Sequence, residues 1–138
     1  MGDERKIFIT TRDMERIQSL LDTTVSIRNR EALENLESEL GSAIVVKPEE
    51  IPPEVVTMGS RVRFRDEETG QTREVTLVYP RDADPQSNKV SILAPVGAAL
   101  IGLSVGETID WPMPNGRRKR LRLEAILYQP EAHGAANR

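Results

Sequence analysis

The chain has 138 residues, with 19 basic and 22 acidic side chains and a formal net charge of −3. That length can bury one or two small cores, and that balance excludes a global field drawing the molecule onto nucleic acid. Cysteine is absent, which excludes disulfides and thiolate metal sites. No apolar run approaches the roughly 20 residues of a membrane span and no signal peptide is read, so a soluble cytoplasmic protein is the default expectation. The acidity is uneven: residues 1–50 hold 11 acidic and 7 basic side chains, whereas residues 51–138 hold 11 and 12. One Trp, two Tyr and two Phe argue against a base-stacking platform.

Met1 to Lys6 is charged and expected to fray, and Ile7-Phe8-Ile9 suits a short strand. Thr10 and Asp13 have the spacing of a capping box, so Thr10 is expected to cap a helix. That helix carries Met14, Ile17, Leu20 and Leu21 as an amphipathic stripe. About twelve residues make it only about 18 Å long. Asp22-Thr23-Thr24-Val25-Ser26 breaks the pattern. A second helix is expected from about Ser26 to Ala43, with Leu33, Leu36, Leu40 and Ile44 as its stripe and Glu31, Glu34, Glu37 and Glu39 on a solvated face. Two striped helices joined by a short break read as an antiparallel hairpin. The prolines at 48, 52 and 53 stiffen the next segment and forbid a regular helix there. These features divide the chain into a helical hairpin at 1–47, a linker at 48–54 and a second domain at 55–138.

Beyond the linker the period changes to two. Val62 and Phe64 alternate with Arg61, Arg63 and Arg65, a half-buried strand with a basic outer face. A turn at Asp66–Thr72 leads to a return strand bearing Val75, Leu77 and Tyr79. Pro80 to Asn88 is a polar loop. The stretch from Ser91 to Glu107 reads as a strand end, a short helix opened by Pro95, and a stop at Gly102. Its small residues Ala94, Gly97, Ala98 and Ala99 give a smooth helix face that another backbone can approach. A strand over Glu107–Trp111 and an Asn115-Gly116 turn precede a last strand, with Leu121, Leu123, Ala125 and Leu127 on one face. Gln129 to Arg138 reads as a loose tail. The fold class is α+β, and the spacing argues against a nucleotide-binding α/β fold.

No catalytic constellation appears. His133, the single histidine, stands in the tail without a second metal-ligating partner. Asp82 and Asp84 lack the later acid of a calcium loop. No phosphate-cradling glycine loop is present, and Ser91 and Ser104 have no histidine partner for nucleophilic catalysis. The basic block Arg117-Arg118-Lys119-Arg120, with Arg122, either keeps an edge strand soluble or makes a weak contact with an anion or nucleic acid. A binding protein without cofactor, metal or small-molecule substrate is expected.

Several stretches taken together are familiar: Val55-Val56-Thr57-Met58-Gly59-Ser60-Arg61-Val62, Thr76-Leu77-Val78-Tyr79-Pro80, Ala94 through Leu103, and Tyr128-Gln129-Pro130-Glu131-Ala132. Over about Thr10 to Ala132 the chain resembles the Gre transcript-cleavage factor family of bacterial RNA polymerase, and within it the Rnk branch, regulators of nucleoside diphosphate kinase. The resemblance implies an N-terminal antiparallel two-helix coiled coil followed by an FKBP-like antiparallel sheet with one short helix. Gre factors dock the C-terminal domain on the rim of the polymerase secondary channel and insert the coiled coil. Their docking motif is Asp-Ser-Pro at the start of the short helix. Leu93-Ala94-Pro95 stands there in this chain, which leaves Pro95, Val96, Ala98 and Ala99 as the expected docking residues.

The coiled-coil tip of Gre factors holds a catalytic magnesium with two acids, because a hard divalent cation prefers charged oxygen ligands. Asp22, Thr23 and Thr24 form the corresponding tip and supply one acid. The resemblance therefore implies RNA polymerase as partner, no transcript cleavage, and competition with the longer factors. A cleavage factor using Asp22 and a regulator acting on nucleoside diphosphate kinase are the alternatives. The FKBP-like fold also raises prolyl isomerase activity, but an aromatic-lined pocket is hard to build here, since Trp111, Tyr79 and Phe64 are expected in the core.

Overall fold

The computed structural model describes residues 7–23, 30–112 and 117–133, with side chains throughout except at 30–33, 112 and 133. The expected Asn115-Gly116 turn and coiled-coil tip residue Thr24 lie outside the described residues, as does the extreme tail.

Strand β1 (Phe8–Thr10) runs directly into helix α1 (Thr11–Thr23). Thr10 makes the expected cap, its Oγ1 accepting the Asp13 N–H at 3.0 Å. Ile17 and Leu21 are buried on the inner face of α1, and Met14 and Leu20 flank them. Helix α2 (Arg30–Gly41) buries Leu36 and Leu40. Ile44 departs from the expected helical stripe: it belongs to strand β2 (Ile44–Val46) and is 40% exposed. Strands β1 and β2 pair in parallel, Phe8 opposite Ile44 and Thr10 opposite Val46. A parallel pair needs a long crossover, and the two helices provide it.

The second half forms a five-stranded sheet of β3 (Arg61–Asp66), β4 (Thr72–Val78), β5 (Lys89–Ser91), β6 (Thr108–Pro112) and β7 (Arg118–Tyr128), in the order β5-β4-β3-β7-β6. The expected hairpin of β3 and β4 is present. The sheet is mixed, however, because β5 joins β4 in parallel. The connection over Pro80–Asn88 makes two 3₁₀ turns, and Asp84 caps the second by accepting the Gln86 N–H at 3.1 Å and the Ser87 hydroxyl at 2.9 Å. A side-chain role in the turn, rather than metal ligation, accounts for this acid.

The last strand departs from strict alternation. The register of β3 on β7 shifts between Arg63 and Phe64 and again between Arg61 and Val62. An extra residue on one strand turns the following side chains to the other face. Leu121 and Leu123, ahead of the shifts, are buried, whereas beyond them Ile126 packs on the core and Leu127 is 41% exposed.

One buried cluster draws on both halves of the chain. Ile7, Ile9, Ile17, Leu36 and Leu40 from the first half join Val62, Phe64, Leu77, Leu100, Leu121, Leu123 and Trp111 in one cluster. Each such side chain contributes roughly 1.5–3 kcal/mol on burial, so the helices are held against the sheet domain. The expected linker is also fixed in place. Ile51 and Val55 are buried, and Gln129 Nε2 donates to the carbonyls of Pro52 and Val55, each at 2.8 Å. Gln129 is thus an anchor, not the start of a loose tail.

Gly102 closes α3 (Pro95–Leu100) with a left-handed φ of 78°. A Cβ on Gly102 would lie 2.5 Å from Ile7 Cβ. Both the backbone conformation and the approach of the first strand demand glycine. Gly102→Ala is expected to destabilise the chain by roughly 2–4 kcal/mol, combining left-handed strain with overpacking against Ile7. Urea unfolding at equilibrium checks this, with full stability in the variant as the contrary result.

Candidate protein-docking site

The turn into α3 is built by Ser91. Its Oγ accepts the Leu93 N–H at 2.9 Å and its carbonyl accepts the Ala94 N–H at 3.0 Å. Ala94 is the N-cap with no side-chain hydrogen bond, and Pro95 occupies the first helical turn, where a missing N–H is harmless. Gly97 lets α3 lie on β5, since a Cβ there would clash with the Ser91 carbonyl oxygen.

Leu93, Ala94, Pro95 and Val96 are half-buried and form the outer part of this turn. Ala98 and Ala99, expected on the docking surface, are 0% exposed and belong to the core. Their small side chains let α3 sit tightly on its neighbours instead of receiving a partner. Of the four expected docking residues, Pro95 and Val96 alone are partly accessible. At the far end of α1, Asp22 and Thr23 are exposed. Thr23 turns its hydroxyl back to the Leu20 carbonyl at 3.0 Å, ordinary behaviour at a helix end.

A second polar assembly sits where α1 meets the sheet domain. Asp13 is 5% exposed, and its Oδ2 accepts the Met58 N–H at 3.1 Å. Beside it, Thr57 donates to Glu131 Oε1 at 2.6 Å and its N–H is accepted by Ser60 Oγ at 2.9 Å. Burial pushes the Asp13 carboxyl up to about 6. The Glu131 charge adds to the rise, while the Met58 N–H and the Arg16 and Arg12 guanidiniums oppose it. Burial, with the Asp13 charge behind it, holds the Tyr79 hydroxyl well above its usual range. Arg12, Arg16, Tyr79, Asp82, Pro130 and Glu131 line a cleft of about 270 Å³ at this joint. The capping-box reading found Asp13 but not this role. The signal was the i, i+4 series Ile9, Asp13, Ile17 and Leu21, which sets a carboxylate on an apolar stripe.

Residues 51–128 match the model of the GreA/GreB transcription elongation factor C-terminal domain, and residues 5–46 match the Rnk N-terminus. The chain belongs to the GreA/GreB family. It is 43% identical to the regulator of nucleoside diphosphate kinase of Escherichia coli K12 over 128 residues, covering 93% of each chain. Transcription elongation factor GreA of Clostridium botulinum (strain Alaska E43) is 39% identical over 84 residues, 61% of this chain and 52% of that one. Among solved structures, the prokaryotic transcription elongation factor GreA/GreB from Nitrosomonas europaea superposes with a TM-score of 0.72 at 48% identity, covering 91% of this chain and all of that one.

The two family matches meet the fold at natural seams. The Rnk match ends at the last residue of β2, and the GreA/GreB match ends at the last residue of β7. The Asp13–Met58 hydrogen bond joins the two family segments.

The Asp13 carboxyl titrates near 6 in the folded chain against an ordinary value of 3.8, so the folded state holds the proton more tightly. Stability from this group is present in full below about pH 4 and is lost as pH rises through 6. The loss amounts to about 3 kcal/mol for two units of pKa. Asp13→Asn is expected to remove that dependence. The stability difference between variant and wild type should move by about this amount in favour of the variant between pH 4 and pH 7.5. A difference that stays constant with pH would rule out the buried titration.

Proposed function

We propose that the chain is a non-enzymatic transcription regulator that binds RNA polymerase at its secondary channel and competes there with Gre cleavage factors. Family membership supports a transcription-factor-like regulator. The observation that carries the finer reading is the pairing of a GreA/GreB C-terminal segment with a short helical unit whose tip offers one acid, Asp22, in α1 of 13 residues. A single carboxylate is a poor magnesium site, and about 20 Å of helix is a short reach. In this reading the sheet domain, described as FKBP-like, docks through Leu93–Val96 around Pro95. The helices act as a short coiled-coil arm ending at Asp22, Thr23 and Thr24, and the site of action is the cytoplasm.

The name of the Escherichia coli relative favours a second reading, a direct action on nucleoside diphosphate kinase. A pull-down with purified kinase separates the two, since the polymerase reading expects no direct complex.

Displacement of a labelled Gre factor from core RNA polymerase, with no shortening of nascent RNA in stalled complexes, is the expected outcome. Pro95→Glu with Val96→Glu is expected to weaken displacement at least tenfold while cooperative thermal unfolding persists, because both positions face outward in part. Ala98 is unsuitable for this test, since a charge at a fully buried site unfolds the domain. Undiminished displacement by the double variant would move the docking surface elsewhere. RNA shortening abolished by Asp22→Ala would instead establish a cleavage factor.

A further inference from the structure

The basic block at 117–122 and the arginines at 61, 63 and 65 lie far apart in sequence, yet β3 pairs with β7. Alternation splits the block. Lys119 pairs with Asp66 at 3.3 Å, whereas Arg120 and Arg122 share the solvent face with Arg61, Arg63 and Arg65. On β3 the arginines recur at roughly 7 Å intervals.

Most of these cations have a nearby carboxylate. Arg61 and Arg63 reach Glu74 at 3.3 and 3.6 Å, Arg63 also reaches Glu124 at 3.5 Å, and Arg120 reaches Asp110 at 3.3 Å. Such exposed pairs contribute little and exchange readily with a stronger oxyanion. One row differs. Arg65 stands directly opposite Arg122, with Thr72 beside Arg65 on β4 and Thr108 beside Arg122 on β6. Arg65 has only Glu67 at 3.8 Å, and the Arg122 side chain makes no ion pair or hydrogen bond among the described residues. Like charges directly opposite on a sheet repel, so the row gains from an anion between the two guanidiniums. Two planar forks flanked by hydroxyls match the oxygens of a phosphate.

The other end of the face carries Tyr128, opposite Arg61 and 38% exposed. Aromatic residues are scarce in this chain, and this one is presented to solvent beside a line of cations. A phosphate-binding row and an aromatic ring on one sheet face are the two parts of a single-stranded nucleic-acid site.

We propose that the solvent face of β3 and β7 binds single-stranded nucleic acid, with Arg65 and Arg122 holding a backbone phosphate and Tyr128 stacking on a base. An acidic protein surface would use the arginines and leave the ring without a role. The assignment does not depend on the polymerase reading, because its test uses the isolated full chain.

Fluorescence anisotropy with a labelled single-stranded RNA of about 12 nucleotides is the measurement, with an equally charged poly-glutamate peptide as control. Arg65→Gln with Arg122→Gln is expected to weaken RNA binding at least tenfold and to lower the slope of log K against log salt by about 0.7, the share of the one phosphate they hold. Tyr128→Ala should weaken it roughly fivefold or more with the slope unchanged. The double variant should melt no lower than wild type, since it removes a repulsion, and Arg122→Gln alone serves if the pair does not fold. No RNA binding by wild type up to about 0.1 mM at low salt, or undiminished binding by the arginine variant, overturns the proposal. Equal affinity for poly-glutamate overturns it in favour of an acidic protein.

Discussion

The contact between Ile7 and the backbone of Gly102 sets how the two halves of this chain fit together. No Cβ fits between them, and Gly102 needs its left-handed conformation to end α3. Ile7 delivers β1 to the sheet domain, and β1 in turn receives β2 as a parallel partner. Two parallel neighbours cannot be joined by a tight turn. The helical pair is the crossover that this pairing requires, as well as the segment that resembles an arm. Its inner faces are committed to the common core through Ile17, Leu21, Leu36 and Leu40.

The joint is polar as well as apolar. Asp13 leaves water to accept the Met58 N–H, and Thr57, Ser60 and Glu131 complete the neighbourhood. A buried carboxylate is satisfied only in the geometry that supplies its donor, so this link penalises any other seating of α1. The same carboxylate makes the seating sensitive to protonation near pH 6. Gln129 performs the corresponding task at the linker, tying Pro52 and Val55 to the end of β7. These bonds tie α1 and the segment around Pro52 to the sheet domain.

The outer face of the sheet follows from irregularity in β7. Two register shifts against β3 turn Ile126 inward and Leu127 outward and set Arg61 against Tyr128, while the regular stretch before them sets Arg65 against Arg122. A strand of strict alternation would have presented a different set of side chains. The sheet domain thus presents an apolar turn at Leu93–Val96 and a cationic sheet face, while Ala98 and Ala99 are withdrawn into the interior.

Local physics made much of this legible. The stripe of α1, the cap at Thr10, the β3–β4 hairpin, the proline at the start of α3 and the glycine at its end all follow from neighbours within a few residues, so the sequence alone determined them. The family resemblance was legible for the same reason, in short motifs such as Ala94 through Leu103. Long-range contacts decided the rest. Ile44 looked like a helix residue until β1 claimed it as a strand partner, and Gln129 looked like tail until the carbonyls of Pro52 and Val55 arrived beside it. Ala98 and Ala99 looked like surface because small residues suit either a smooth exterior or a tight interior, and only packing chooses between them. Arg65 and Arg122 are separated by more than fifty residues, and no periodicity within either strand reveals the pairing that brings two like charges together.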